Sequence, residues 1–349
     1  MPSIILKWKK LCEGNKLLEL LNIMLMGFSQ ITLNTNPLCG IILLIAVCVA
    51  SPVQLLSGIW AVFVAALLIY ALGIPIEQAK DGLYTINPAL VGLSVSAVTY
   101  VNDVQALPGI LLFSTVGAVL SLLFTAALSR VLSEYQASPL AAPYSIALML
   151  ISSSTYYMTA LEPQPLLSPD IAMLQQQAET VWSVKEFAVA VLNGLAQVLW
   201  LNDVPRSAWG GIILLIGVLA ASRIDALISI YAALLATGTA VLLGLAQSDI
   251  MLGLYGYNAV LLSLVLFGRA FRMSRHSFLM ISILSIVSVI FCAGMKPFFA
   301  AVGAPYAGFP FAMISICVML GRRYFAKLTY MEPSTWKTPE KSGENPEAE

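Results

Sequence analysis

Gly82-Leu83-Tyr84-Thr85-Ile86-Asn87 returns 171 residues later (258 − 87) as Gly253-Leu254-Tyr255-Gly256-Tyr257-Asn258. Each copy sets a glycine and an asparagine at the head of an apolar run, and the reading of that run decides the fold. Glycine permits a turn that other side chains resist. Asparagine caps a helix start or ties the bend to a neighbouring element, with direct solute contact as the alternative. The runs that follow, 87–101 and 254–268, fall short of the ~20 residues a helix needs to cross a bilayer. A short apolar helix opened by a tight turn is expected to enter a membrane and return on the side it came from. Irregular backbone is tolerated at that depth only inside protein or against water.

Two further features repeat around these bends. Gly27-Phe28-Ser29-Gln30 aligns with Gly194-Leu195-Ala196-Gln197, and Pro143-Tyr144 aligns with Pro310-Phe311, both at an offset of 167 residues (197 − 30 and 310 − 143). Three matches in one order predict two related halves, 17–161 and 184–324. A cytoplasmic N-terminal segment, 1–16, precedes them, a polar linker, 162–183, joins them, and a tail, 325–349, follows. The tail is rich in Pro, Glu, Lys and Ser and is expected to be disordered.

Outward from the repeats, apolar segments fall near 17–34, 37–50, 55–74, 107–131 and 141–158. They recur near 184–201, 208–222, 226–246, 277–294 and 308–322. The chain is 59% hydrophobic and only 10% charged, against ~25% charged in a soluble domain. Most of its surface must therefore face something other than water. Eighteen basic and eighteen acidic residues cancel, which argues against nucleic acid as a partner. Five scattered cysteines show no metal-ligand spacing, and the lone His276 cannot build a metal site, so no metal and no cofactor are expected. The first apolar segment lacks a clear cleavage site and is expected to remain as a membrane helix.

Charges orient the segments. Lys7, Lys9, Lys10 and Lys16 hold the N-terminus in the cytoplasm. Five crossings then put the acidic linker, with Glu162, Asp170 and Glu179, outside. Arg130, Arg206, Arg269, Arg272 and Arg275 fall inside, and ten crossings return the C-terminus inside with Arg322, Arg323 and Lys327. Lys80, Arg223 and Lys296 are left on the outer side. Five crossings is an odd number, so the halves must be inverted, with a solute site expected between them. The fold expected is thus an all-α polytopic membrane protein of two inverted repeats. Each repeat has five transmembrane helices plus one re-entrant helix, ten spans in total.

Polar groups interrupting these helices mark candidate positions. A carboxamide facing lipid is costly, so Gln30 and Gln197 should face either a neighbouring helix or a lumen. Gly82 and Gly253, Asn87 and Asn258, and Pro143 and Pro310 are the structural bends. The segments offer no serine elbow, no His–carboxylate pair and no phosphate-cradling loop, which argues against an enzyme. Ionisable residues are nearly absent from the spans, and proton pumps and ion-coupled carriers need such residues on their path. A neutral solute moving down its gradient fits better.

Arranged this way, the chain resembles the urea transporter family. The resemblance rests on Gly-x-x-Gln leading to Asn36-Pro37-Leu38-Cys39-Gly40, on the doubled Gly-Leu-Tyr bends with Asn87 and Asn258, and on the doubled Pro–aromatic pairs. It runs from about Leu17 to Leu320. It implies a homotrimer with one pore per protomer; the short loops and compact length point to a bacterial inner membrane, and the charges put both termini in the cytoplasm. The resemblance also implies passive, channel-like passage of urea between flat apolar slots and a ladder of oxygen acceptors. Carried onto this sequence, the ladder is Gln30, Gln197 and Ser145. The slots are Leu33 and Trp200, Ile86 and Tyr257, and Leu90 and Leu261, with Tyr84 and Tyr255 as packing anchors. Leu33 and Ile86 are aliphatic where the family often has aromatics, and Ala312 stands opposite Ser145 with Ser315 nearby. Ammonia, water or short-chain amides are the related alternatives, and ion-coupled transport is a more distant one.

Overall fold

A computed structural model describes residues 14–98, 106–155 and 181–342, together with Trp8, Leu11 and Cys12. The first half runs α1 (Lys16–Ser29), a 3-10 turn (Gln30–Thr32), α2 (Pro37–Ala50), α3 (Pro52–Ala71), α4 (Ile76–Ala79), α5 (Ile86–Val98), α6 (Leu107–Ser133) and α7 (Ala142–Thr155). The second half runs in the same order: α8 (Val184–Ala196), a 3-10 turn (Gln197–Leu199), α9 (Val204–Ala221), α10 (Arg223–Leu242), α11 (Gln247–Met251), α12 (Gly256–Leu266), α13 (Arg275–Ala301) and α14 (Phe309–Leu320). A short α15 (Pro339–Ser342) follows. Among the described residues no strand forms, and Phe271 and Tyr330 make one isolated antiparallel bridge.

Local sequence sets the breaks. Asn36 accepts from the Leu38 N–H ahead of α2, with Pro37 in the first turn. Ser51 and Ser222 cap α3 and α10 by accepting from the N–H groups of Gln54 and Asp225. Such caps satisfy N–H groups that have no partner inside the helix.

α3, α6, α10 and α13 are long and apolar enough to cross a membrane, and the helical stretches Lys16–Thr32 and Pro37–Ala50 qualify together, bent by 76° at their break. Twenty residues, as in α3 and α10, rise ~30 Å, the thickness of the hydrocarbon. Phe278, Leu279, Ile283, Ile286 and Ile290 of α13 point outward and exposed. That stripe would be unfavourable in water and suits lipid. The chain is an all-helical, multi-pass membrane protein.

α5 and α12 occupy the interior. Their 13 and 11 residues make helices of only ~20 and ~16 Å, and they are buried on nearly every side. A helix that is apolar all round belongs in a core. Gly82 and Gly253, at φ of +86° and +77°, turn the chain into them. A Cβ on Gly82 would lie 2.5 Å from the Met26 carbonyl oxygen, and one on Gly253 would lie 2.4 Å from the Asn193 carbonyl oxygen. The halves meet where α2 packs on α9, α7 on α14, and the two 3-10 turns on each other.

One reading is sharpened and one expectation is corrected. The few ionisable side chains in the helices flank the apolar stretches, and the buried ones are paired. Asp225 of α10 is fully buried against Arg269, and Lys296 of α13 pairs with Asp249 of α11. Arg269 is therefore not a free topogenic charge of the kind Arg272 is, because the fold withdraws it from the surface. The tail, expected to be disordered, is packed over its described part. Thr329 and Met331 bond to Arg272 and Ala270, Trp336 Nε1 donates to Met331 O, and Glu340 accepts from Ser222 and Ile224. Its aromatic and carboxylate anchors outweigh its polar composition. Residues 1–7, 9–10, 13, 99–105, 156–180 and 343–349, including most of the expected linker, lie outside the described residues.

Candidate functional site

The repeated glutamines begin the two 3-10 turns, and the residues three places on leave them in the same unusual conformation. Leu33 has φ 59° and Trp200 has φ 60°, both left-handed and neither glycine. The Leu33 N–H donates to Gln30 O at 2.8 Å, and the Trp200 N–H to Gln197 O at 3.0 Å. A side chain in this region costs roughly 1–2 kcal/mol, so the surroundings must impose it.

Their side chains differ. Gln30 is half-buried, and its Nε2 donates to Asp81 O at 2.8 Å. Gln197 is buried, and its Oε1 has no hydrogen-bond partner. Asn193, one turn earlier on α8, donates Nδ2 to Met251 O at 2.7 Å and also leaves its buried Oδ1 without a partner. Each unmade acceptor costs about 1–3 kcal/mol, so this wall of α8 offers oxygens that the protein itself does not use. Ser145 Oγ is engaged, donating to Ala141 O at 2.9 Å, while the buried Ser315 Oγ has no partner.

The apolar candidates gather in one buried cluster. Ile86, Leu90, Trp200, Tyr257 and Leu261 belong to it, and Leu33 packs against it. Trp200 Nε1 donates to the Tyr144 hydroxyl at 3.0 Å, and the Gly308 N–H donates to the same oxygen at 3.1 Å. Tyr144 thus joins the first half to two elements of the second. Tyr257 and Tyr306 lie nearly parallel, with ring centroids 6.5 Å apart and planes 10° apart. Their hydroxyls are anchored on Ala307 O and Leu254 O. Such fixed rings form flat, rigid apolar faces. Of the two expected anchors, Tyr84 packs against a small cluster that includes Ile23 and Ile69, and Tyr255 donates to Asp249 Oδ2 at 3.3 Å.

The bend asparagines hold the next helices. Asn87 Oδ1 accepts from the Tyr144 N–H at 3.2 Å, and Asn258 Oδ1 from the Phe311 N–H at 3.1 Å. Each fills an N–H left open at a helix start, beside Pro143 in α7 and Pro310 in α14. Asn87 Nδ2 donates to Thr125 Oγ1 at 3.0 Å, whereas Asn258 Nδ2 reaches only the Cys292 sulfur at 3.4 Å.

Gln54 and Asp225, which sequence reading passed over, and Arg269, which it took only as an inner-side charge, brace the turns. Gln54 Nε2 reaches Leu93 O at 3.1 Å, Leu199 O at 3.0 Å and Trp200 O at 2.9 Å. Its two hydrogens face three carbonyls, so one is shared. Arg269 donates to both oxygens of Asp225, at 2.8 and 2.6 Å, and onward to Leu33 O at 3.1 Å, Asn34 Oδ1 at 3.2 Å and Leu264 O at 2.8 Å. A signal existed, because Ser51-x-x-Gln54 and Ser222-x-x-Asp225 share the 171-residue offset of the bends (225 − 54).

Comparison with known proteins comes last. A family model described as urea transporter matches residues 21–323. Urea transporter 1 of Ovis aries is 23% identical over 325 residues, covering 92% of this chain and 80% of that protein. Urea transporter 1 of Mus musculus is 24% identical over 323 residues with the same two coverages.

Proposed function

The chain belongs to the urea transporter family, and we propose that it conducts urea passively across a membrane along a path between two inverted halves. The observation that carries this reading is the buried, unpartnered Gln197 Oε1 beside the turn that presents Trp200. Urea carries four N–H hydrogens in one plane and needs acceptors along its edges when it leaves water. Gln197, with Gln30 and Ser145, supplies such acceptors on one wall. Leu33, Trp200, Ile86, Leu90, Tyr257 and Leu261 supply flat apolar faces that exclude ions, whose lost hydration those faces cannot replace.

In this reading α5 and α12 are the re-entrant helices, their length stopping them short of the far side of the bilayer. Both termini are cytoplasmic, the membrane is a bacterial inner membrane, and three copies assemble, each with its own path. Asp225 fits a structural role better than proton coupling, since Arg269 occupies both of its oxygens. Aliphatic Leu33 and Ile86 favour a second reading in which formamide and acetamide also pass.

The test is solute entry into proteoliposomes, comparing urea, formamide, acetamide and glycerol. Urea is expected to enter well above the protein-free rate and glycerol not to. Urea entry at the protein-free rate would sink the reading.

A further inference from the structure

Leu33 and Trp200 hold left-handed backbone, and each turn is gripped by a side chain from the opposite half. Arg269, of the second half, donates Nε to Leu33 O and Nη2 to Asn34 Oδ1, at 3.1 and 3.2 Å. Gln54, of the first half, donates to Leu199 O and Trp200 O, at 3.0 and 2.9 Å. Each also grips the short buried helix of its own half at equivalent places, Gln54 on Leu93 O and Arg269 on Leu264 O. The two grips therefore correspond in position, and they differ in chemistry. One is a neutral carboxamide, and the other is an arginine locked by the buried carboxylate of Asp225.

We propose that Gln54 and the Asp225–Arg269 pair are positioning residues of the solute path, each fixing the turn by which the opposite half presents Trp200 or Leu33. The proposal rests on the path described above. A left-handed residue relaxes toward negative φ unless its carbonyl is held, and that relaxation swings its side chain. Trp200 has a second restraint in its indole bond to Tyr144, whereas Leu33 has no polar atom on its side chain. The turn with the weaker side-chain anchor carries the stronger clamp. Arginine suits that task because its planar fork meets both carboxylate oxygens while keeping further N–H groups for carbonyls. Asp225 is the member that aims the fork.

The experiment uses full-length protein, purified and reconstituted, with stopped-flow entry of urea and methylurea. The variants are Gln54→Met, Arg269→Lys and the double change Asp225→Gln with Arg269→Val. The double change copies the pair Gln54 and Val98 that stands at the same places in the first half. Arg269→Val alone strands a buried carboxylate and is the variant least able to fold, so the double change replaces it. Gln54→Met and Arg269→Lys are expected to assemble normally and to lose urea entry about tenfold, a change equivalent to about one hydrogen bond. Methylurea entry falls less, so the ratio of the two solutes shifts. Trp200 emission, read against a Trp200→Phe background, moves in Gln54→Met only. The double variant recovers urea entry and the wild-type ratio, which an unspecific packing role would not predict. Assembled Gln54→Met and Arg269→Lys with wild-type entry and ratio would overturn the proposal, as would an assembled double variant no better than Arg269→Lys. Wild-type urea entry at the protein-free rate would instead overturn the path itself, and the clamps with it.

Discussion

The turn at Gln30–Leu33 and the turn at Gln197–Trp200 share one backbone and almost no side-chain chemistry. In the first, the carboxamide is half-exposed and donates its N–H to Asp81 O, and the left-handed residue is aliphatic. In the second, the carboxamide oxygen is buried and unused, and the left-handed residue is a tryptophan tied to Tyr144. The bracing follows the same rule, neutral from Gln54 and ionic from Asp225–Arg269. Duplicated scaffold is therefore retained in glycine, asparagine and φ, where geometry admits few substitutes. The side chains that the two turns carry are free to diverge.

That contrast breaks most visibly at its charged member. Arg269→Ala leaves Asp225 buried and unpaired and should destabilise the protein by about 3–5 kcal/mol. Gln54→Ala orphans only neutral carbonyls, at about 1–3 kcal/mol. Thermal unfolding in detergent ranks the two, and equal losses would mean that the ion pair is not carrying its half. The bend asparagines come next. Asn87→Ala and Asn258→Ala each strand one helix-start N–H and should each cost about 1–3 kcal/mol. Asn87 should cost more, because its second bond is to a hydroxyl and that of Asn258 is to a thiol.

A smaller effect should appear only in transport. Gln197→Leu is expected to cut urea entry about tenfold, one hydrogen bond's worth, while Gln30→Leu should cut it less, since Gln30 is only half-buried and water competes for its oxygen. The reverse order, measured in proteoliposomes, would place the working acceptor in the first half.

The smallest effect concerns the tail. Burial works to raise the pKa of Glu340, but the N–H groups of Ile224 and Arg223, its own N–H and the Ser222 hydroxyl outweigh it and hold the carboxyl below the ordinary glutamate range. Its folded pKa is lowered, so its contribution is present above the unfolded value of ~4.3 and fades as pH falls through the folded one. Protease access to residues 325–342 should rise as the pH falls below the ordinary glutamate range, and Glu340→Gln should raise it at neutral pH. No change in either would remove Glu340 as an anchor.

The halves, the bends and the paired glutamines were legible because each is a local pattern repeated at a fixed offset. Asn87 and Asn258 were also readable, since a polar residue behind a glycine turn has few ways to be satisfied inside apolar protein. Gln54 left only a faint trace, the Ser-x-x-polar step it shares with Ser222 and Asp225, and its partners, up to 146 residues away, could not be read from it. Arg269 misled for a physical reason: beside Arg272 and Arg275 it looks like one more charge at a membrane edge. Only the fold brings Asp225 to it. Tyr330 and Trp336 were hidden by the polar company they keep in the tail.

The crossed grips also set a schedule for assembly. Arg269 reaches Leu33 across 236 residues of chain. At ~5–20 residues per second, the ribosome needs roughly ten to fifty seconds to bridge such a gap. Through that interval the first turn must wait in the membrane with its carbonyl unclaimed. Biogenesis of the first half therefore finishes only when the second is almost complete, and a chain interrupted between them yields no half that is ready to work.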